Sequence, residues 1–219
     1  MASKYPLRAD SEHLVLDPGV RRVAVTTAST AELGDLASLR RDFALARTFL
    51  DFYLASDIEG DDTIPSALDA LWVSAMTMYG RAYSNGQRHA ARADTSHLTA
   101  AEEADHRYFL DLRNKYIAHP VNGFEKTAVF ADLSDRQTLP AGIRRVGESH
   151  TILSRLARIP AEKLNRLCER QIVLLTSRID ELHLAVAREL IAMGVDDVHE
   201  LPDFEPPYLD GSNPRSART

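Results

Sequence analysis

The sequence predicts a mainly α-helical protein, a bundle of at least four helices with a small β-hairpin inserted before a long last helix. Apolar residues recur at steps of three and four through most of the chain, the spacing that lines one face of a helix. Ser29-Thr30-Ala31-Glu32 and Thr99-Ala100-Ala101-Glu102 carry the capping-box spacing that marks helix starts. Only between about 127 and 153 does the apolar period fall toward two, as in paired strands.

The first helix is expected from Ser29 to about residue 55, with Leu36, Leu39, Phe43, Ala46, Leu50 and Tyr53 on its inner face. The segment SDIEGDD breaks it and reads as a solvated linker, because it lacks the ligand order of a calcium loop. Thr63 can cap the second helix and Pro65 is tolerated in its first turn. Leu68, Leu71, Trp72, Ala75, Met76 and Tyr79 form its apolar stripe, and Asn85-Gly86 ends it. The third helix starts at Thr99, runs through Tyr108, Leu112 and Tyr116, and is stopped by Pro120, which disfavours helical geometry in the residue before it.

TAVFADL (127–133) and IRRVGESHTIL (143–153) flank a polar, proline-containing turn, and so predict the hairpin. From Pro160 to Met193 the register Cys168, Ile172, Leu175, Ile179, Leu182, Val186, Leu190 and Met193 predicts one helix, with Gly194 as its C-terminal cap. At 1.5 Å per residue it extends roughly 50 Å, long enough to serve a partner or a second copy as well. The ends read differently: 1–28 as an arm with VRRVAVT as a possible short strand, 29–194 as the helical domain, and 195–219 as a flexible tail.

With 219 residues, 44% of them apolar, the chain can bury a real core. No apolar run reaches the roughly 18 residues of a membrane span, and the first residues lack a signal peptide's apolar stretch, so a cytoplasmic location without membrane attachment is expected. The single Cys168 excludes an internal disulfide and a thiolate metal cage, and its helical position suits a buried small hydrophobe. A net charge of -6 argues against a protein that coats nucleic acid with its whole surface. Yet residues 136–170 hold eight basic against three acidic side chains. Arg144 and Arg145 are therefore candidate phosphate contacts, and a solvated helix face plus hairpin is the alternative.

The chemistry concentrates in LRNKYIAHP, residues 112–120. A histidine that titrates near neutrality can take the proton of a ribose 2′-OH, and a guanidinium can hold the charge that builds on phosphate oxygens. Arg113 and His119 supply this pair, Asn114 can orient phosphate or imidazole, and Lys115 and Tyr116 add neighbouring donors. Arg81, on the second helix, either lines the same cleft or forms a surface ion pair. Arginine and histidine at similar spacing also occur at Arg8/His13, Arg92/His97, Arg145/His150 and Arg178/His183. Only in LRNKYIAHP does the pair close a capped amphipathic helix, with a polar residue after the arginine and proline after the histidine.

This R-N-x4-H arrangement, at the end of the third helix of a bundle, resembles the HEPN superfamily over roughly residues 30–195. The resemblance implies an HEPN-like fold and metal-independent endoribonuclease activity in toxin–antitoxin, abortive-infection or phage-defence settings. It also implies a homodimer with the motif at the interface, an RNA substrate, no cofactor and no catalytic metal, and an antitoxin or other regulatory partner. The site residues implied are Arg113, Asn114 and His119. On an ideal helix the first and last of these lie about 120° apart, so that two copies rather than one can focus them on a phosphate. Some members follow the histidine with x-Tyr, a target of nucleotidyltransferase antitoxins; here Pro120-Val121 stand there instead.

A catalytically silent, dimerising binding module is the competing reading. In it His119 is an interior histidine and Arg113 pairs with Asp111 or with a carboxylate of the first helix. Metal chemistry has only His89, His97, His106, Asp94 and Asp105 to draw on, without a recognised ligand spacing. Phosphate-binding, Rossmann and nucleophile-elbow glycine patterns are missing from the sequence.

Overall fold

The computed structural model describes residues 17–56, 67–84, 88, 90–118, 123, 125–134, 142–153 and 155–205. Among these, the elements run α1 (Thr30–Ala55), α2 (Ala67–Ala82), α3 (Ala100–Leu112), a π-helical turn (Arg113–Ile117), β1 (Glu125–Leu133), β2 (Ile143–Ile152), α4 (Arg158–Met193) and α5 (Val195–His199). The protein is thus mainly α, with a hairpin before the long α4. Thr63, Pro65, Asn85-Gly86 and the acidic linker lie outside the described residues. Among the described residues, no helix is long and apolar enough to cross a membrane.

The chain divides into two compact units, one made of Ser38–Ser84 with Ala93–Leu175, the other of Met1–Ala37, Asn85–Arg92 and Thr176–Thr219. The first unit is a helix bundle whose core follows the apolar stripes. Leu39, Phe43, Ala46, Leu50 and Tyr53 of α1 are fully buried, as are Trp72, Ala75, Met76 and Tyr79 of α2 and Ala161, Leu164 and Cys168 of α4. From α3 the buried residues are His106, Phe109 and Leu112, whereas Tyr108 is exposed. Aromatic edges lock the helices together, Phe43 meeting Tyr79 with ring centroids 5.8 Å apart and Tyr83 meeting His106 at 4.5 Å. Burial pushes the Cys168 thiol up, which keeps it protonated and inert.

The helix starts are of two kinds. At α3 the capping box forms as the sequence requires: Thr99 Oγ1 accepts from the Glu102 backbone N–H, and the Glu102 carboxylate accepts from the Thr99 backbone N–H at 2.9 Å. At α1 the helix begins where expected, but the Ser29/Glu32 box does not form. Ser29 Oγ donates instead to Glu189 Oε1 at 2.8 Å, and Glu32 receives Arg178 Nε at 2.9 Å, so charged partners from α4 outcompete the local bonds.

In the second unit Leu36, Ile179 and Leu182 are buried. Gly194, at φ 96°, separates α4 from α5 in an extended, positive-φ conformation that glycine adopts without a Cβ penalty, rather than as the αL cap of a Schellman end. Part of the stretch read as a flexible tail is ordered. Arg21 donates to His199 O at 2.6 Å, Leu201 O at 2.7 Å and Asp203 Oδ1 at 2.6 Å, and the expected strand VRRVAVT shrinks to a single bridge, Val23 to Asp203. The guanidinium takes up carbonyls left free after α5, which holds 199–203 in place.

The hairpin pairs β1 and β2 antiparallel, from Glu125↔Ile152 to Asp132↔Arg145, and then Leu133↔Ile143. Arg144 is therefore the extra residue of a bulge in β2. Almost every hairpin residue is exposed.

Candidate functional site

The LRNKYIAHP motif divides at a change of helix type. Arg113, Asn114, Lys115 and Tyr116 occupy the π-helical turn that continues α3, closed by Ala118 N–H donating to Arg113 O at 2.9 Å. A bond spanning five residues makes this turn wider than that of an ideal α-helix. His119 and Pro120 lie outside the described residues.

Two contacts anchor this turn. The Tyr116 ring stacks on Trp72, with centroids 6.2 Å apart and planes 10° from parallel, and its hydroxyl donates to Leu153 O at 2.7 Å. Burial raises the Tyr116 phenol above its ordinary range. The side chain read as a possible substrate contact is thus engaged in holding the turn against α2 and the end of β2. On the other side, the half-buried Arg113 crosses α2 at Gly80. A Cβ at residue 80 would come within 2.9 Å of Arg113 Cγ and Cδ and 3.1 Å of its Nε. Glycine is what lets the guanidinium arm lie there.

Arg113 Nη1 donates to Asn114 Oδ1 at 2.8 Å, so the two residues of the motif that are described point their polar groups at each other. No carboxylate ion pair engages Arg113 among the described residues. The alternative partner Asp111 pairs instead with Lys115, at 3.4 Å, on an exposed face. Arg81 is settled differently: it forms an ion pair with Asp42, a carboxylate of α1 that is 1% exposed. Hydrogen bonding to Asp42 holds the Arg81 guanidinium above its usual range. An arginine that compensates a buried carboxylate is structural before it is anything else.

The basic segment after residue 135 is mostly neutralised within the molecule. Arg145 Nε binds Asp132 at 2.9 Å and its guanidinium covers the Phe130 ring at 5.3 Å. Arg155 faces Asp69 at 3.7 Å, Lys163 binds Asp105 at 2.8 Å, and Arg170 binds Glu102. Four of the segment's cations thus belong to carboxylates of α2, α3 and β1 in space, while Arg144, Arg158 and Arg166 are exposed and have no carboxylate partner among the described residues.

Inside the bundle lies a polar group that the motif does not reveal. Tyr79 Oη is 2.7 Å from His106 Nδ1, and both are buried. Burial lowers the basicity of His106 and raises the Tyr79 phenol, so both groups stay uncharged and share one hydrogen bond whose direction follows the imidazole tautomer. Its only sequence signal is a histidine at a core position of α3. Gln171, also buried, donates to Asp94 O at 2.7 Å. Among the described residues, no three histidine, cysteine, aspartate or glutamate side chains lie together as a metal site.

The described residues form a helix bundle with an inserted hairpin and a polar π-turn at the end of α3. Compared with known proteins, the chain matches no family model, no curated sequence and no solved structure.

Proposed function

We propose that the protein is an HEPN-like, metal-independent endoribonuclease, acting as a homodimer in a toxin or phage-defence role. Arg113 binds the scissile phosphate, Asn114 orients it, and His119 takes the 2′-OH proton. The 2′ oxygen then attacks phosphorus, the bond to the 5′ oxygen breaks, and the products are a 2′,3′-cyclic phosphate and a 5′-OH end.

The observation that carries this reading is the state of Arg113. It is half-buried across Gly80, bonded to Asn114, and has no carboxylate counter-ion among the described residues. Arg47, Arg81, Arg107, Arg145, Arg155 and Arg170 of the same unit each sit on a carboxylate, whereas Arg40, Arg41, Arg144, Arg158 and Arg166 have none among the described residues; Arg113 differs from these in that its arm is fixed against Gly80 and bonded to Asn114. An uncompensated guanidinium on a fixed arm is prepared for an anion. The π-turn supports the same reading, because such turns are frequent at functional sites. Lys115, Arg144 and Arg145 remain secondary contacts at most, since two of the three have carboxylate partners.

The test is cleavage of total cellular RNA in EDTA by the purified wild type, Arg113→Ala and His119→Ala. Cleavage by the wild type alone, leaving cyclic phosphate ends, is the expected result. Equal cleavage by all three, or none, assigns the turn to packing. The stack on Trp72 and the bond to Leu153 favour that second reading, a non-catalytic binding module.

A further inference from the structure

A two-stranded hairpin exposed along both strands is marginal in water unless a third layer or a third strand covers it. Here Val129, Leu133, Ile143 and Val146 are 75%, 69%, 70% and 64% exposed, and β1 carries none of the proline or bulge devices that blunt an edge. The β1 edge is therefore open to another strand, and its own sequence says which one.

We propose that β1 pairs antiparallel with β1 of a second copy, about a two-fold axis at Val129, so that the two hairpins form one four-stranded sheet. In an antiparallel pair of identical strands, two residues whose backbone groups point at the partner must face each other. The axis must then pass through a residue rather than between two. With Val129 on the axis, the whole of Glu125–Leu133 overlaps its copy. Lys126 of each chain then stands opposite Asp132 of the other, Thr127 opposite Ala131, and Ala128 opposite Phe130. On that face Asp132 already binds Arg145 within its own hairpin, so each row across the sheet reads Arg145, Asp132, Lys126, with the acid between two cations. On the opposite face Val129, Ala131 and Val146 of both copies join into one apolar strip.

The β2 edge offers no equivalent. Its two full-length registers place Glu148 opposite itself or Arg144 opposite His150, and its bulge at Arg144 interrupts the ladder. The charge order of β1 selects β1. This contact is distinct from the helical interface that the HEPN resemblance implies, and it stands whether or not the protein cleaves RNA.

Cross-linking tests it directly, because opposed residues of an antiparallel pair have Cα atoms about 4.5–5.5 Å apart, within reach of a disulfide. Cys168 is buried and unreactive, so Val129→Cys supplies the one reactive thiol. On mild oxidation, V129C is expected to convert to a disulfide-linked dimer. T127C and A131C alone should stay uncrosslinked, whereas the T127C/A131C double variant should cross-link twice per dimer. Helical content by circular dichroism should match the wild type, since these side chains are exposed. A V129C protein that stays monomeric on non-reducing gels, or T127C and A131C singles that cross-link as fast as V129C, overturns the proposal. A wild-type dimer by sedimentation with no V129C disulfide also overturns it, and leaves the helical dimer of the proposed function intact.

Discussion

Gly80 decides where the Arg113 guanidinium sits. Alanine there gains about 1 kcal/mol of helix propensity but loses about 1–3 kcal/mol to overpacking against the arginine arm. Gly80→Ala is therefore expected to keep its fold and urea midpoint near the wild type while RNA cleavage falls at least tenfold, because a displaced guanidinium no longer meets the phosphate. Unchanged cleavage by a folded G80A protein removes Arg113 from the chemistry. His106 gives a second residue-scale expectation. Burial holds its basicity below the ordinary histidine value near 6.5, so the folded state stays neutral while the unfolded chain takes up a proton as pH falls through that value. Stability contributed by the neutral His106–Tyr79 pair is complete above that range and declines on acidification, until the folded imidazole itself titrates. Urea midpoints at pH 7.5 and 5.5 should separate more for the wild type than for His106→Gln, and equal separations rule the pair out as a source of acid sensitivity.

At the scale of elements, Thr99 and Glu102 illustrate a local signal that survives folding. The Thr99 backbone N–H, then its hydroxyl, then Arg170 pull the Glu102 carboxyl down to about 2. Thr99→Ala removes the hydroxyl that accepts from the first turn of α3, an expected loss of about 1 kcal/mol, or roughly 2–4 °C in Tm, with Thr99→Ser restoring most of it. A T99A protein melting with the wild type would mean that α3 is held by packing alone. The α1 start shows why the same four-residue spacing does not always form a box: Glu189 and Arg178 reach Ser29 and Glu32 from about 150 residues away, which no local window reveals. Helix positions and buried faces were legible because their periodicity is local; Leu39, Phe43, Trp72, Tyr79 and Cys168 are buried by the same stripes that announce the helices. The π-turn was not, since it accompanies a tertiary stack of Tyr116 on Trp72, and neither was Gly80, whose role exists only against Arg113. Of the site, Arg113 and Asn114 were legible as a motif, but Tyr116 and Arg81 read as possible ligands only because Leu153 and Asp42 are remote in sequence.

For the whole molecule, charge is the quantity that governs how it meets RNA. Single-stranded nucleic acid loses about 0.7 in the slope of log affinity against log salt for each phosphate neutralised. The chain has a net charge of -6, and the cations of 145–170 are largely matched by Asp132, Asp69, Asp105 and Glu102. Arg40, Arg41, Lys126, Arg144 and Arg166 also have no carboxylate partner among the described residues, but at the turn itself what remains for phosphates in each copy is Arg113, with Lys115 weakly paired at 3.4 Å. A cleavage-silent His119→Ala protein should therefore bind a single-stranded RNA with a shallow slope, about -1 to -2 per copy, and Arg113→Ala should flatten it by about 0.7. Fluorescence anisotropy between 50 and 300 mM salt measures both. A slope steeper than about -5 would mean that the basic segment releases its carboxylates to hold RNA, and recognition would then belong to that surface rather than to the turn at Arg113. A slope near zero for both proteins would leave the guanidinium of Arg113 without an RNA phosphate to bind, and would favour the non-catalytic binding module.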